Sequence, residues 1–578
     1  VYKRQVFANE EDFDRAFGTS PSVLLPSGHL IAPDGEQALF VRDFNLWLRD
    51  LGDWSEVALT KDGEAYFAYA SPSDQQTLHL APMGVFEPQS TYWSPDGRWI
   101  ITRQIDERHL ESYPFFQAAP PDGSYRPQVR EVKVTLLGDA EQAVIRDIII
   151  DRETGSTYAS GRPAGFDLND AYPANAPRGW SKDGSKAFLY ASTPDAKKGR
   201  LLEVDLATGE SRTVIEENAP GSRVNISLTF GRDPLVHILD DEVIWYSERS
   251  GFGHLYLYDT ASGELKRQLT DGDRIVASVL HVDSTRRSLI VTMGRGGTAD
   301  PYEHYVYRVP LDEGEPVLLT PEPGHHKAQP EGVSPGGDYV VDTYSTVSSP
   351  PRSVLRRVWE KDDGVMLEEA DVAALGESGW QPPRRVRVAA ADGKTDLYAV
   401  LFEPYGKWAD GDKRPVIDFN YINSIAAIAP LSFTDAFGVF HVESLRHLGF
   451  YVVVVDGRGT PYRSRDFREA GYPVFYDIQV EDHVAAIEQL ADRFPGMDID
   501  RVGIWGSSNG GAGAARAILR RPDFFKVAVS SAGSHDYMSL PPSGVKYFGI
   551  PVYADGTAVR PSPCLLYTSD AADDQWRV

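Results

Sequence analysis

The chain has 578 residues, too many for one ordinary hydrophobic core, so two or more domains are expected. Its formal net charge of −26 argues against nucleic acid or an anionic membrane surface as a partner. Hydrophobic residues make up 42% of the chain, as in folded proteins, and no apolar run approaches the length of a membrane span.

Both ends of the chain are interpreted as artefacts. Residues 1–5 and 564–578 resemble a sequencing adapter translated in frame, and they are excluded from fold reasoning. The single cysteine, Cys564, falls in the second of these segments, so no disulfide and no cysteine chemistry are expected. We therefore expect a fragment whose gene continues past residue 563 and whose missing leader says nothing about its compartment.

Two sequence phrases recur in residues 26–375, after an acidic lead-in segment at 6–25. One is a W-S-x-D-G turn before a strand, and the other is a D-x-x-x-G-E turn between two strands. Copies of the first stand at 32–35, 93–97, 180–184 and 333–337, and copies of the second at 201–210 and 254–264. Short strands and a long-period repeat predict a β-propeller of seven or eight blades, with an array of β-sandwiches as the alternative.

Strands alternate with helices in residues 376–563, which predicts an α/β-hydrolase domain with a parallel sheet, incomplete at its C-terminus. The predicted elements are two strands across 386–402, a strand at 415–421, a helix at 437–448, a strand at 450–456, a helix at 478–494 and a strand at 527–531. The unbroken apolar run 450–456 is typical of a central parallel strand. Asp456 and Arg458 are interpreted as an ion pair that fixes the following loop.

A strand, a tight turn and a helix near residue 508 predict the nucleophile elbow of an α/β-hydrolase. The apolar run Val502 to Trp505 predicts the strand, residues 506–510 fit G-x-S-x-G, and the small residues 511–517 predict the helix. Glycines flank the turn because a Cβ there would crowd its neighbours. Ser508 is the candidate nucleophile, and the N–H of Asn509 at the helix start can face an oxyanion. The alternative is a Gly/Ser-rich turn before a helix.

A β-propeller followed by an α/β-hydrolase half resembles the prolyl oligopeptidase family of serine peptidases, in its dipeptidyl peptidase IV-like branch. The resemblance covers most of residues 26–563. Its carriers are Trp93-Ser-Pro-Asp-Gly97, Ile105-Asp-Glu107, Ser112-Tyr-Pro114, residues 246–256, Val455-Asp-Gly-Arg-Gly-Thr460, Glu481-Asp482 and the elbow. It implies a peptidase that hydrolyses peptide bonds of oligopeptides through an acyl-enzyme.

The resemblance also implies roles for three residues. Ser508 would be the nucleophile, and the backbone N–H of Asn509 would be one oxyanion donor. The hydroxyl of Tyr421, at the end of an earlier strand, would be the second donor, with a core-covering aromatic as the alternative. The family's Gly-Gly-Pro or Gly-Pro after this tyrosine is replaced here by Ile422-Asn423-Ser424, so the loop is expected to sit differently.

The catalytic acid and base are expected beyond residue 563. In α/β-hydrolases they follow the serine in the order Ser, Asp, His, each on a later loop. His535, Asp523 and Asp536 come too early, and His535 falls where the family carries residues of its substrate pocket. A serine without its histidine loses most of its nucleophilicity, so this fragment is expected to be inactive even if the parent enzyme is active.

Substrate preference is the least determined feature. Dipeptidyl peptidases of this branch hold the substrate amino terminus with a glutamate pair, and the matching positions are Met83 and Gly84, followed by the single Glu87. Asp106 and Glu107, with Glu111, are the substitute candidates for substrate binding, the alternative being a surface loop paired with Arg103 or Arg108. The family's proline pocket would fall near Met538 and Pro542, with Tyr537 offset, so cleavage after proline is not implied.

Other functions remain alternatives: an acylaminoacyl-peptidase or esterase on the same scaffold, or a non-catalytic propeller that binds partners. No cofactor and no metal are expected, and the adjacent His325 and His326 are interpreted as exposed rather than as metal ligands. A peptide substrate is the expected partner, a homodimer stays open, and the resemblance favours the periplasm or export.

Overall fold

The structure is a computed structural model that describes residues 28–71, 88, 90–117, 124–136, 139, 141–166, 177–226, 235–297, 299–360, 363–406, 411–439, 441–472, 475–535, 552–554 and 557–559. The chain divides into two compact units: residues 1–134, 141–160 and 206–209 form the first, and 135–140, 161–205 and 210–578 form the second. The lead-in segment at 6–25 and the two adapter-like ends lie outside the described residues.

The first unit contains two antiparallel sheets and a separate hairpin. The first sheet pairs β1 (Leu30–Ile31), β2 (Gln37–Arg42), β3 (Asn45–Asp50) and β4 (Glu56–Ala58) in chain order. The second contains β5 (Phe67–Tyr69), β6 (Tyr92–Trp93), β7 (Trp99–Asp106), β10 (Val144–Asp151) and β11 (Thr157–Ala159), and the hairpin between β7 and β10 consists of β8 (Ser112–Gln117) and β9 (Gln128–Lys133). The apolar side chains of both sheets, including Leu39 and Ile100, form one buried cluster.

Four antiparallel sheets, each paired in chain order, begin the second unit. The first two consist of β12 (Gly179–Trp180), β13 (Lys186–Ser192), β14 (Lys198–Asp205) and β15 (Ser211–Asn218), then β16 (Val236–Ile238), β17 (Glu242–Ser247), β18 (His254–Asp259) and β19 (Leu265–Gln268). The next two consist of β20 (Val276–Asp283), β21 (Ser288–Met293), β22 (Tyr305–Pro310) and β23 (Val317–Leu318), then β24 (His325–His326), β25 (Tyr339–Ser345), β26 (Arg352–Arg357) and β27 (Val365–Glu369). This series of four-stranded meanders is the predicted propeller architecture, while the number of blades stays a prediction.

Both recurring phrases form the turns that join the strands of a sheet. The last glycine of each copy of the first phrase has a positive φ, from 67° at Gly337 to 75° at Gly35, which favours glycine. In one copy the Ser94 hydroxyl donates to Asp96 Oδ1 at 2.5 Å and accepts from the N–H of Trp99 at 2.8 Å. The second phrase turns between the third and fourth strands, where Gly263 has a φ of 73°.

Histidines 325 and 326 lie on β24, and the prediction that they are exposed is wrong. The His326 ring is 2% exposed, and its Nδ1 lies 2.9 Å from both carboxylate oxygens of Asp342. Arg356 donates to the same carboxylate at 3.2 Å. The carboxylate satisfies the buried imidazole, so a Pro-rich sequence context did not keep it at the surface. Among the described residues, no three His, Cys, Asp or Glu side chains are placed to hold a metal ion.

The α/β half is built on a six-stranded sheet with the order β28-β29-β31-β30-β32-β33. Its strands are β28 (Arg384–Ala389), β29 (Asp396–Phe402), β30 (Arg414–Phe419), β31 (Tyr451–Asp456), β32 (Met497–Ser507) and β33 (Phe525–Ser531), and a small hairpin follows with β34 (Val552–Ala554) and β35 (Thr557–Val559). The last four strands in the sheet order are parallel, whereas β29 is antiparallel to both of its neighbours. Because β30 and β32 are parallel neighbours, their carboxyl ends meet at one edge.

Six helices are described in this half of the chain. They are α1 (Ala373–Glu377), α2 (Phe433–Gly438), α3 (Val442–His447), α4 (Arg465–Glu469), α5 (Phe475–Arg493) and α6 (Asn509–Arg520), and a 3₁₀ turn covers Pro330–Gly332. Val480, Val484 and Ile487 of α5 pack in one apolar cluster with the strand residues Val453 and Ile504. No helix in the described part of the chain is long and apolar enough to span a membrane.

The single helix predicted at 437–448 is wrong. Two short helices, α2 and α3, stand there instead, and His441 between them has a left-handed φ of 59°. A left-handed residue cannot continue a right-handed helix, so the helix must restart after it. The helix predicted at 478–494 is confirmed as α5, which begins three residues earlier at Phe475.

Candidate active site

The turn between β32 and α6 has the backbone of a nucleophile elbow. Ser508 has φ 56° and ψ −124°, a conformation that side-chain-bearing residues rarely adopt. Its N–H donates to the carbonyl of Ser531 on β33 at 2.9 Å, which fixes the turn to the neighbouring strand. The Ser508 side chain is exposed at the end of the sheet. The turn therefore exposes a serine hydroxyl at this edge of the sheet.

Glycines surround the serine because backbone atoms occupy the space of a side chain. A Cβ on Gly506 would lie 2.6 Å from the carbonyl oxygen of Asn420, and a Cβ on Gly510 would lie 2.3 Å from the same oxygen. A Cβ on Gly511 would lie 2.3 Å from the carbonyl oxygen of Ser531. Real Cβ atoms do not approach oxygen this closely, so alanine at any of the three would displace the turn. The G-x-S-x-G spacing thus has a steric cause on both sides of the elbow.

Asn509 is the first residue of α6, and the first N–H groups of a helix have no partner within it. The positive end of the helix dipole adds to their attraction for a negative oxygen. The Asn509 side chain points elsewhere: its Oδ1 lies 3.5 Å from the hydroxyl of Tyr476 on α5.

Tyr421 lies beside the elbow, two residues after β30 ends. Its Cα is 3.3 Å from the position of a Cβ on Gly510, so the tyrosine backbone borders the first turn of α6. Its side chain is half-buried. Burial, and then the neighbouring Tyr421, raise the pKa of Tyr476 on α5. The predicted parallel sheet is confirmed here, since β30 pairs in parallel with β32, and this brings the tyrosine to the nucleophile's edge of the sheet.

A buried ion pair lies beneath this edge. His483 Nδ1 of α5 is 2.8 Å from Asp418 Oδ2 of β30, and both side chains are almost completely buried. Burial disfavours the imidazolium, but the Asp418 carboxylate outweighs it and raises the pKa of His483. The other oxygen, Asp418 Oδ1, has no hydrogen-bond donor among the described residues. The pair joins the strand that leads to Tyr421 to helix α5.

The prediction that Asp456 and Arg458 form an ion pair is wrong, because each of them binds a different partner. Asp456 is buried and accepts the N–H groups of Ile428 at 2.8 Å and Ala429 at 3.1 Å, and burial raises its pKa. Arg458 turns to Asp482 instead, with Nη2 2.8 Å from Oδ1. A buried carboxylate that already holds two amides has little need of a cation, whereas Asp482 receives the guanidinium on two atoms.

His535 and Asp523 have local contacts. The Nε2 of His535 lies 3.5 Å from Ser530 Oγ, and Asp523 forms an ion pair of 2.9 Å with Arg521. That pair lowers the pKa of Asp523. Asp536, Tyr537, Met538, Pro542 and Cys564 lie outside the described residues.

Asp106 and Glu107 belong to the first unit, whereas Ser508 belongs to the second. Hydrogen bonds from Arg108 at 2.9 Å lower the pKa of Asp106, so this carboxylate is already paired with a cation. Glu107 is 5% exposed, and its backbone N–H donates to Tyr66 at 2.7 Å. The alternative of a local arginine partner is confirmed for Asp106. Met83, Gly84 and Glu87 lie outside the described residues.

The sequence did not predict three buried residues near Tyr421: Asn423 in the following loop, and Tyr476 and Gln479 on α5. Gln479 binds Asn423 across 56 positions of the chain, a contact that no local pattern signals. The one available signal is the position of Gln479, three residues after Tyr476 and four before His483 on one helix.

Two family descriptions match the chain. The N-terminal region of dipeptidyl peptidase IV (DPP IV) matches residues 29–351, and the prolyl oligopeptidase family matches residues 436–549.

Individual proteins show the same similarity. Dipeptidyl peptidase 8 of Homo sapiens is 26% identical over 488 residues, covering 75% of this chain and 52% of that protein. Dipeptidyl-aminopeptidase B of Aspergillus niger is 24% identical over 504 residues, covering 83% of this chain and 53% of that protein. The chain thus spans about half the length of the curated relatives it matches.

A solved structure agrees in fold. The crystal structure of Porphyromonas gingivalis dipeptidyl peptidase 4 matches with a TM-score of 0.70 at 19% identity, covering 90% of this chain and 70% of that one. A propeller region precedes a hydrolase region in both the sequence matches and the strand order. The first family description matches more than half of the residues of this chain. The chain therefore belongs to the prolyl oligopeptidase family, in its dipeptidyl peptidase IV-like branch.

Proposed function

We propose that this chain is part of a dipeptidyl peptidase-like serine peptidase that hydrolyses peptide bonds of oligopeptides. The conformation of Ser508 carries the proposal: an exposed serine at φ 56° between two sterically required glycines. A positive φ at a serine costs stability, and such strain is retained at functional sites. This observation also opposes the alternative of a non-catalytic scaffold, which has no use for a strained serine turn.

In the proposed reaction, Ser508 Oγ attacks the scissile carbonyl carbon and gives its proton to a general base. The carbonyl oxygen becomes an oxyanion, which the Asn509 N–H and the Tyr421 hydroxyl stabilise. The C–N bond then breaks, the amine leaves with a proton from the base, and water hydrolyses the acyl-enzyme. Tyr421 supports this scheme because its backbone borders the first turn of the helix that starts at Asn509.

The base and its acid partner are proposed to come from chain beyond residue 563. α/β-Hydrolases carry them after the serine in the order Asp, then His. Residues 1–578 alone are therefore proposed to be inactive.

Asp106 and Glu107 enter the proposal as acceptors for the substrate's amino terminus. The ion pair with Arg108 weakens this role for Asp106, because the guanidinium already neutralises the carboxylate. A related alternative is an acylaminoacyl-peptidase or esterase. It is supported by residues 422–424 after Tyr421, which depart from the family's Gly-Gly-Pro or Gly-Pro.

A fluorophosphonate probe tests the proposal. The whole protein should be labelled, Ser508→Ala should abolish labelling, and the matched control Ser507→Ala, an exposed serine one residue earlier, should retain it. Residues 1–578 alone should react far more slowly. Labelling that survives Ser508→Ala would disprove the assignment.

Substrate assays separate the alternatives. Dipeptide p-nitroanilides with a free amino terminus should be cleaved faster than their acetylated forms. Faster cleavage of the acetylated forms would favour the acylaminoacyl-peptidase, and absence of labelling and cleavage would favour the non-catalytic scaffold.

A further inference from the structure

The loop after Tyr421 is closed by a single buried amide. Asn423 is completely buried, and its Oδ1 accepts the N–H groups of Ile425 at 2.5 Å and Ala426 at 2.6 Å. Its Nδ2 donates to the carbonyl oxygen of Ala426 at 3.1 Å and to the carbonyl oxygen of Tyr421 itself. Every donor and acceptor of this amide is therefore in use, and one of its bonds holds the tyrosine backbone.

A second buried amide holds Asn423 from helix α5. The N–H of Asn423 donates to Gln479 Oε1 at 3.0 Å, and Gln479 Nε2 donates to the carbonyl oxygen of Asn423 at 2.6 Å. The glutamine side chain thus binds both the backbone N–H and the backbone carbonyl of Asn423, as a neighbouring β-strand would. Glycine at position 457 leaves space for this side chain, since a Cβ there would lie 2.8 Å from Gln479 Cγ.

Gln479 belongs to a row of three buried side chains on one face of α5. Tyr476, Gln479 and His483 are spaced by three and four residues, the spacing of one helical face. His483 holds β30 through Asp418, Gln479 holds the loop through Asn423, and Tyr476 lies against Asn509. Helix α5 therefore contacts three segments: the strand before Tyr421, the loop after it and the start of α6.

We propose that Asn423 and Gln479 are positioning residues that hold the Tyr421 hydroxyl where the oxyanion forms. The inference rests on the proposed oxyanion role of Tyr421. The hydroxyl must meet an atom whose position Ser508 dictates, and the loop that carries it lacks any regular element between β30 and α2. The two amides supply the rigidity that a strand or helix would give, and a small misplacement of a donor is costly in catalysis.

A double-mutant cycle in the whole protein tests this. Tyr421→Phe should lower kcat on a dipeptide p-nitroanilide by roughly 100-fold, the typical cost of an oxyanion donor. Gln479→Met removes both hydrogen bonds at similar volume and should lower kcat by roughly 10-fold or more, with little change in KM. In the Tyr421→Phe background, Gln479→Met should lower kcat hardly further, because the group that it positions is gone.

Helix α5 offers a matched control. Gln489 binds the backbone of Ala389 on β28 in the same two-bond manner, at 2.9 and 2.8 Å, and it is far along the helix from Tyr421. Gln489→Met should lower thermal stability but leave kcat unchanged. If Gln479→Met fails to fold, Gln479→Glu loses less packing, and its ionised carboxylate still cannot donate to the Asn423 carbonyl.

The outcomes separate the two proposals. A wild-type kcat for Tyr421→Phe would reject the oxyanion role itself. If Tyr421→Phe is impaired but Gln479 variants keep a wild-type kcat, or lose the same factor in both backgrounds, the positioning role is overturned. A drop in kcat for Gln489→Met equal to that for Gln479→Met would likewise overturn it, because general loosening of α5 would then explain both.

Discussion

Asp418 and His483 form a buried ion pair of 2.8 Å that joins strand β30 to helix α5 directly beneath the candidate active site. Neither side chain contacts solvent to any extent, so water does not stabilise a charge on either of them. The strength of the link between β30 and α5 is thereby coupled to protonation of His483. This coupling gives the hydrolase half a pH dependence that can be measured.

His483→Gln should cost about 3 kcal/mol of stability at pH 6, since it leaves the Asp418 carboxylate buried without its cation. The folded-state pKa of His483 is raised above its unfolded value, so its contribution is fully present below the unfolded pKa and is lost as the pH rises through the folded one. Thermal unfolding of both proteins at pH 6 and 9 checks this. The difference in Tm should shrink at pH 9, and a difference that grows would contradict the sign. His447→Gln, at an exposed histidine, is the control.

Gly510→Ala should destabilise the chain by about 2 kcal/mol, the usual cost of overpacking, and should slow labelling of Ser508. The added Cβ would lie 2.3 Å from the Asn420 carbonyl oxygen, so the turn must move away from β30. Gly376→Ala in α1 is the matched control, because nothing lies within 4 Å of its Cβ position. Chemical unfolding and the labelling rate measure both effects. Equal stability of the two variants would refute the steric account.

Ser508→Gly should be more stable than Ser508→Ala by about 1 kcal/mol, since glycine adopts φ 56° without strain. Both variants lose the hydroxyl, so the difference in their stability measures the strain of the backbone at this position. The Ser508 side chain is exposed and contributes little packing to confuse the comparison. Calorimetric Tm values provide the measurement, and a Tm that is no higher for glycine would show that the turn is unstrained.

Glu248→Gln should cost about 3 kcal/mol, because Glu248 is the buried partner of Arg468 on α4. Arg468 and Arg223 also share the carboxylate of Glu469, so the change leaves one carboxylate for two guanidinium groups. Asp240→Asn breaks the exposed pair with Lys182 and should change stability by less than about 0.5 kcal/mol. Urea unfolding midpoints compare the two. Similar small shifts would show that the buried pair is weakly coupled.

The sequence predicted the features that local chemistry determines. Turn glycines such as Gly97 and Gly263 mark where strands reverse, because a positive φ is required there. The elbow was predictable from its G-x-S-x-G spacing between an apolar strand and a run of small residues, although the atom that excludes a Cβ at Gly510 is the distant carbonyl oxygen of Asn420.

Features that depend on distant partners were missed. The sequence does not reveal the burial of His326, because Asp342, which satisfies its ring, lies on the next strand. The break at His441 was missed because nothing in its neighbours demands a left-handed residue. Asn423 and Gln479 were missed because their role depends on the hydrogen bonds between them, and no local sequence pattern indicates such a long-range contact.

The row of Tyr476, Gln479 and His483 has a mechanical consequence. Because α5 carries the contacts of both proposed oxyanion donors, a rocking motion of this helix displaces the Tyr421 loop and the start of α6 together. Such a shared displacement would largely preserve the spacing between the two proposed donors. A displacement of α5 would therefore move the proposed hole relative to the substrate more than it would distort the hole.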